Sequence, residues 1–116
     1  PAVLSEYSHK IFDLKKNEKI YFMEKAVKVL PKWQKIIPAV IHVDGTARVQ
    51  TVTMASNKKF YDLIFNFNKI TNIPVLLNTS FNLNGEPIVC TPKDAIRTFF
   101  SCGLDVLVIG NFIIIK

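Results

Sequence analysis

The sequence predicts an α/β fold, a mixed sheet with helices packed on it, and three observations support that prediction. Short β-branched runs alternate along the chain with segments whose apolar residues recur at helical spacing. An order of strand, helix, strand, helix and strand is typical of a sheet layered with helices. The length of 116 residues allows one hydrophobic core, since such a chain buries roughly two-thirds of its unfolded surface. We therefore expect a single domain over 1–116.

The first third of the chain predicts a helix, a strand and a helical turn. Apolar residues at helical spacing predict an amphipathic helix over 3–12. Partial alternation of apolar and polar residues predicts a strand over 22–30. The short segment 31–37 has room for one helical turn around Trp33.

Residues 39–52 predict a β-hairpin. Two β-branched runs, 39–43 and 47–52, flank Asp44-Gly45, a dipeptide favoured in two-residue hairpin turns. Such a turn pairs Val43 with Thr46 and Ile41 with Arg48. Alternation along the second strand predicts that one face carries Thr46, Arg48 and Gln50 and the other carries Ala47, Val49 and Thr51.

The rest of the chain predicts two helices and four strands. A helix over 57–71 begins at a cap, Ser56 or Asn57, and ends at Asn72. A second helix over 92–102 has Thr91 as its N-cap and a proline at its first position. The predicted strands cover 74–78, 88–90, 105–109 and 112–115.

Composition excludes several classes of protein. A hydrophobic content of 49% with only 4 Gly and 6 Pro excludes disordered and collagen-like chains. The longest apolar stretch, 106–115, is about half of the roughly 20 residues that a membrane span needs, so we expect no membrane association. Two cysteines form no disulfide framework. We expect a cytoplasmic protein without a signal peptide, and the opening without Met indicates a processed or excised chain.

The net charge of +6 leaves two interpretations open. Thirteen of the fifteen basic residues are Lys, and acidic residues are interspersed among them, which is typical of a solvated surface. An anionic ligand or a nucleic acid is the alternative. The two arginines, Arg48 and Arg97, stand apart because only Arg offers a planar bidentate fork.

The polar run 78–82 follows a predicted strand end, where α/β folds commonly place ligands. Its hydroxyl and amide groups suit an anion, but the same residues also form Asx and Ser/Thr turns. Arg48 suits either a surface ion pair or a phosphate. The pattern favours a packed His42 and a turn role for Asp44. These residues indicate an anion-binding domain and no specific reaction.

Two longer motifs carry a resemblance. Residues 38–52 resemble the HVDGTARVQTV signature of the NodU/CmcH-type O-carbamoyltransferases. Residues 75–82 and 85–89 resemble that family's PVLLNTSFN and GEPIV signatures, and 91–95 continue the match. The opening segment resembles the family's APAVLEEY-like segment, so the likeness covers essentially the whole chain.

The resemblance implies a fold and a reaction. The C-terminal domain of that family is similar to YrdC, the threonylcarbamoyl-adenylate synthase, and handles ATP, with Mg²⁺, and carbamoyl phosphate to form carbamoyl-adenylate. A separate N-terminal domain, which contains iron, transfers the carbamoyl group to an acceptor hydroxyl. This chain then represents a C-terminal fragment of the YrdC-like domain. The partners are the small-molecule substrates and the N-terminal domain of the same polypeptide.

The resemblance also implies site residues. Arg48, Asn78 and Ser80 bind carbamoyl phosphate or the adenylate by motif position. His42, Asp44, Thr46 and Asn82 belong to the same signatures and are assigned only a site-shaping role. No residue is assigned as catalytic or as a metal ligand.

Two expectations complete the prediction. Further phosphate-binding Arg and Lys residues of the family lie on segments upstream of this chain, so we expect residues 1–116 alone to be inactive. The alternative functions are a nucleic-acid-binding YrdC-like module, which the net charge favours, and a structural domain with little catalytic role.

Overall fold

The computed structural model, which describes residues 1–116, combines helices with small sheets and confirms the predicted α/β fold. Its first unit, 1–78, runs through β1 (Ala2–Leu4), α1 (Ser5–Ile11), β2 (Ala26–Lys28), α2 (Pro31–Gln34), a 3-10 helix (Pro38–Val40), β3 (Thr46–Arg48), β4 (Gln50–Val52), α3 (Lys58–Thr71) and β5 (Val75–Leu76). The second unit, 79–116, contains α4 (Pro92–Phe100), β6 (Val106–Ile109) and β7 (Phe112–Ile115). Two such units are compatible with one domain, so the single domain stays a prediction.

The main sheet of the first unit has the order β4-β1-β5. β1 lies parallel to β4, with Ala2 opposite Gln50, and antiparallel to β5, with Ala2 opposite Leu76. All three residues of β1 are fully buried. The segment predicted as the first turn of a helix is therefore the central strand of this sheet.

The predicted hairpin over 39–52 is wrong in its first strand. Residues 38–40 form a 3-10 helix, because Pro38 fixes φ and starts the turn. The partner of β3 is β2, with Arg48 opposite Ala26 and Thr46 opposite Lys28. Val49 separates β3 from β4, so the single strand predicted over 47–52 is two short strands that belong to different sheets. The predicted alternation of faces is confirmed, because Ala47, Val49 and Thr51 are buried and Arg48 is exposed.

The helices agree more closely with the prediction. The Asn57 side chain accepts from the Phe60 N–H (3.1 Å) at the start of α3, and Asn72 ends that helix with φ 60°. A capping box formed by Thr91 and Asp94 begins α4. The helix predicted over 3–12 is shorter, at Ser5–Ile11. The brief strand predicted over 88–90 is absent, and 74–78 contains only β5 as regular structure.

The second unit is a helix with a two-stranded hairpin. β6 and β7 pair antiparallel, with Val106 opposite Ile115 and Ile109 opposite Phe112. Ala95 and Phe99 of α4 are buried together with Leu107 of β6. These three residues form the core of the unit.

Thr51 fixes the chain around residue 20 to β4. It is 2% exposed, its hydroxyl accepts from the Ile20 N–H (2.9 Å) and it donates to the Ile20 carbonyl (3.1 Å). The Thr51 N–H also donates to that carbonyl (2.6 Å). The buried Ile20 N–H therefore depends on this hydroxyl alone.

We expect Thr51→Val to lower the free energy of unfolding by about 1–3 kcal/mol, because it leaves the Ile20 N–H without a partner. Amide hydrogen exchange checks the cause: the Ile20 amide is protected in the wild type and loses protection in the variant. Thr51→Ser keeps the hydroxyl and is the matched control, with the Ile20 amide still protected. A protected Ile20 amide in Thr51→Val would contradict this account.

Candidate anion-binding site

Arg48 presents an unpaired guanidinium at the end of β3. Its side chain is exposed, and its Nε donates to the Met23 carbonyl (3.2 Å). The ion pairs of the chain are formed by other residues, namely Lys25 with Glu18, Lys58 with Asp62 and Arg97 with Asp94. Because only Nε is engaged, both terminal nitrogens stay available for a bidentate contact with an anion.

Met23 is the residue that orients Arg48. It adopts a left-handed conformation, with φ 57°, which is uncommon for a residue other than glycine or asparagine. Its carbonyl accepts the only hydrogen bond that the Arg48 side chain makes within the chain. The loop before β2 therefore positions the guanidinium without neutralising it.

Asn78 is linked to the strand that follows Arg48. Its Nδ2 donates to Gln50 Oε1 (2.9 Å), and Gln50 Nε2 donates to the Tyr21 carbonyl (2.9 Å). Gln50 lies two residues beyond Arg48, on the face that alternation assigns to both side chains. The structure thus links Asn78, through Gln50, to β4, the strand that follows Arg48 along the chain.

A cleft of about 220 Å³ lies beside Gln50. Its walls include three aromatic residues, Tyr21, Phe22 and Phe60, together with Asn57 at the start of α3. Phe22 is 84% exposed. The cleft combines aromatic rings with the amides of Gln50 and Asn57 and contains no charged side chain.

The turn before β3 joins His42, Asp44 and Thr46. The Thr46 hydroxyl donates to Asp44 Oδ1 (2.7 Å), and the Thr46 N–H donates to the same oxygen (3.0 Å). His42 Nδ1 lies 2.9 Å from Thr46 Oγ1. Backbone bonds support the arrangement, because the His42 N–H donates to the Thr46 carbonyl (2.7 Å) and the Gly45 N–H donates to the His42 carbonyl (2.9 Å).

The bonds from Thr46 set the charge state of Asp44. The hydroxyl first, and then the amide, hold the pKa of the Asp44 carboxyl below its ordinary value. A depressed pKa in the folded state contributes stability that is present above the unfolded pKa and is lost as pH falls through the folded pKa. The turn is therefore complete at neutral pH and loosens only in acid.

We expect Thr46→Val to raise the pKa of Asp44, because the substitution removes the hydroxyl donor and keeps the amide donor. Titration of the Asp44 carboxyl carbon by NMR measures the pKa directly. Thr46→Ser, which keeps the hydroxyl, is the control and retains the low value. An Asp44 titration midpoint that is the same in Thr46→Val and the wild type would show that the hydroxyl bond does not set it.

Ser80 and Asn82 belong to the second unit. Asn82 Nδ2 donates to the carbonyls of Leu83 (3.1 Å) and Glu86 (3.0 Å), so its side chain closes the 82–86 turn. Ser80 is exposed and lines a cavity of about 300 Å³ together with Asn82, Thr98 and Cys102. The Thr98 hydroxyl is buried and has no hydrogen-bond partner.

The structure also adds residues that the sequence patterns did not single out as functional. Gln50 stands in the same alternating set as Thr46 and Arg48, and that spacing was the available signal. The sequence contains no signal for Met23 or Thr98, because a left-handed methionine and an unsatisfied hydroxyl are visible only in three dimensions. The roles assigned to Arg48, Asn78 and Ser80 stay predictions.

No three His, Cys, Asp or Glu side chains lie close enough together to hold a metal ion. The longest helix, α3, has 14 residues, and no helix has the length and hydropathy that a membrane span requires.

The chain is thus an α/β protein whose candidate anion-binding residues include an unpaired guanidinium, Arg48, and two linked amides, Gln50 and Asn78. Residues 1–116 match the family model described as "Carbamoyltransferase C-terminus". The chain belongs to this family, as its motifs indicate.

Similarity to individual proteins agrees with this assignment. The chain is 44% identical over its whole length to the nodulation protein NolO of Bradyrhizobium diazoefficiens and to the nodulation protein NolNO of Sinorhizobium fredii. It is 50% identical, over 82% of its length, to an uncharacterized protein of Methanocaldococcus jannaschii. The chain spans 21%, 17% and 18% of these three relatives, respectively. The relatives are thus several times longer than the chain.

Proposed function

We propose that this chain is the part of a cytoplasmic O-carbamoyltransferase that binds carbamoyl phosphate and ATP and forms carbamoyl-adenylate. The carbamoyl group then passes to an acceptor hydroxyl in an N-terminal domain of the same polypeptide. Membership of the carbamoyltransferase family and the greater length of the relatives support this proposal. The free guanidinium of Arg48 is the single observation that carries it.

Arg48 is assigned to a phosphate or carbamoyl oxygen. Formation of an adenylate moves negative charge among phosphoryl oxygens, and positioning with electrostatic stabilisation supplies most of the catalysis. A guanidinium held by one carbonyl through Nε, with both terminal nitrogens unengaged, suits that task. Asn78 adds a neutral amide from the segment after β5, and its bond to Gln50 fixes the orientation of that amide.

The cleft beside Gln50 suits the base of ATP. Its aromatic walls favour a planar ring, and the Gln50 amide offers hydrogen-bonding capacity. At about 220 Å³ it is smaller than the roughly 300–1,000 Å³ typical of whole-ligand pockets, which favours a base over an entire nucleotide. The role proposed for Ser80, a hydroxyl that binds carbamoyl phosphate or the adenylate, rests on its motif position alone.

The charge of the substrates indicates that other segments complete the site. ATP and carbamoyl phosphate together carry several negative charges, and the motifs over 38–52, 75–82 and 85–89 contain one Lys or Arg, namely Arg48. We therefore propose a YrdC-like site whose remaining cations come from the rest of the polypeptide, and residues 1–116 alone should be inactive. We propose iron, as the resemblance implies, for the N-terminal domain alone.

Pyrophosphate release from ATP, measured with and without carbamoyl phosphate, tests the proposal in the full-length protein. We expect release that depends on carbamoyl phosphate. Salt-sensitive RNA binding, together with a melting temperature unaffected by carbamoyl phosphate, would instead favour a nucleic-acid-binding module. Full turnover by residues 1–116 alone would contradict the division of the site between segments.

A further inference from the structure

The hydrogen bonds among His42, Thr46 and Asp44 determine where the protons of this turn lie. Asp44 is ionised at neutral pH, so its Oδ1 only accepts. Thr46 Oγ1 lies 2.7 Å from that oxygen and has one proton, which it must donate to Asp44. The contact between Thr46 Oγ1 and His42 Nδ1 (2.9 Å) therefore needs a proton on Nδ1.

We propose that Asp44 and Thr46 hold His42 in its Nδ1–H tautomer, and that the free Nε2 accepts a hydrogen bond from the amino group of the carbamoyl moiety. This inference rests on the proposed function. In a neutral imidazole with Nδ1 protonated, Nε2 carries a lone pair and is an acceptor. Asp44 and Thr46 are positioning residues here, and His42 is a specificity-determining residue.

The fold places this acceptor on the Arg48 side of β3. Thr46 and Arg48 are two residues apart in the strand and share one face. The His42 ring contacts the Thr46 hydroxyl and therefore lies on that face as well. His42 is exposed, so the substrate can reach Nε2.

Nε2 of His42 supplies the acceptor that Arg48 lacks. Arg48 has only donors, which suit phosphate and carbonyl oxygens but offer nothing to an N–H. Acetyl phosphate has a methyl group where carbamoyl phosphate has an amino group and is otherwise similar in shape. A group that accepts from the amino group therefore distinguishes the two compounds, because only carbamoyl phosphate has the donor.

The tautomer is tested by NMR on the full-length protein with ¹⁵N-labelled histidine at alkaline pH. Loss of a signal in His42→Phe identifies the His42 resonances, and His9 serves as the comparator. We expect His42 to be protonated at Nδ1 in the wild type and in Thr46→Ser, and to lose that preference in Thr46→Val. An Nε2-protonated His42 in the wild type would overturn the inference.

The specificity is tested by the KM for carbamoyl phosphate in pyrophosphate release, with acetyl phosphate as a competitive inhibitor. We expect His42→Phe and Thr46→Val to raise the KM about twofold to tenfold, which is the change expected from the loss of one neutral hydrogen bond. The inhibition constant of acetyl phosphate should not change, and Thr46→Ser should behave as wild type. Equal losses for both compounds would overturn this inference alone. A wild type without any dependence on carbamoyl phosphate would overturn the proposed function together with it.

Discussion

Replacement of Arg48 with alanine is expected to abolish adenylate formation in the full-length protein, with a loss of at least about 10²–10³-fold in the rate of pyrophosphate release. The reason is that Arg48 is the one Lys or Arg in the motifs over 38–52, 75–82 and 85–89 and has no carboxylate partner to neutralise it. Arg48→Lys should lose most of the activity, because a point charge does not reproduce a bidentate fork.

The other arginine of the chain provides the matched control. Arg97 is exposed and pairs with Asp94 across one helical turn (3.8 Å). Arg97→Ala removes the same charge from the protein and should leave the rate close to that of the wild type. An Arg48→Ala protein at the wild-type rate, or equal losses in the two variants, would exclude the role given to Arg48.

Phe12→Ala is expected to cost about 3–5 kcal/mol of the free energy of unfolding, because it empties the centre of the largest hydrophobic cluster. Phe12 is fully buried among Ile11, Ile20 and Val29, and it forms an isolated β-bridge with Val29. Since whole domains are stable by only about 5–15 kcal/mol, this loss should bring the protein near its unfolding threshold. Urea denaturation measures it.

Phe22→Ala makes the same substitution at a position that is 84% exposed. We expect it to change the free energy of unfolding by no more than about 0.5 kcal/mol. Both variants lose an aromatic ring, so the difference between their free energies of unfolding measures the contribution of burial at Phe12. Comparable losses at both positions would show that Phe12 does not lie in the core.

The sequence predicted the helices better than the strands because helix boundaries depend on neighbouring residues. The cap at Asn57, the left-handed Asn72 and the capping box at Thr91 are all local, and α3 and α4 begin within one residue of prediction. Strand pairing depends on distant partners. Asp44-Gly45 correctly predicted a turn, but the hairpin predicted around it is wrong. Nothing near the turn showed that β2, about 20 residues upstream, would pair with β3.

The same distinction applies to the candidate site. Alternation placed Arg48 on the open face of its strand, and the structure confirms its exposure. The carbonyl of Met23 and the amide of Gln50, which orient Arg48 and Asn78, lie 25 and 28 residues away along the chain from those partners. Contacts at such separations leave no local pattern, so sequence reasoning named the candidate side chains and missed the groups that hold them.

The central position of β1 has a consequence for biosynthesis. Ala2 needs Gln50 on one side and Leu76 on the other before its strand is paired. At a synthesis rate of about 5–20 residues per second, roughly 4–15 seconds separate the translation of Leu4 from that of Leu76. For that whole interval the apolar segment Ala2–Leu4 lacks β5, and for most of it β4 as well. The nascent chain therefore passes through a period in which chaperone capture competes with aggregation. That period ends only when β5 has been made.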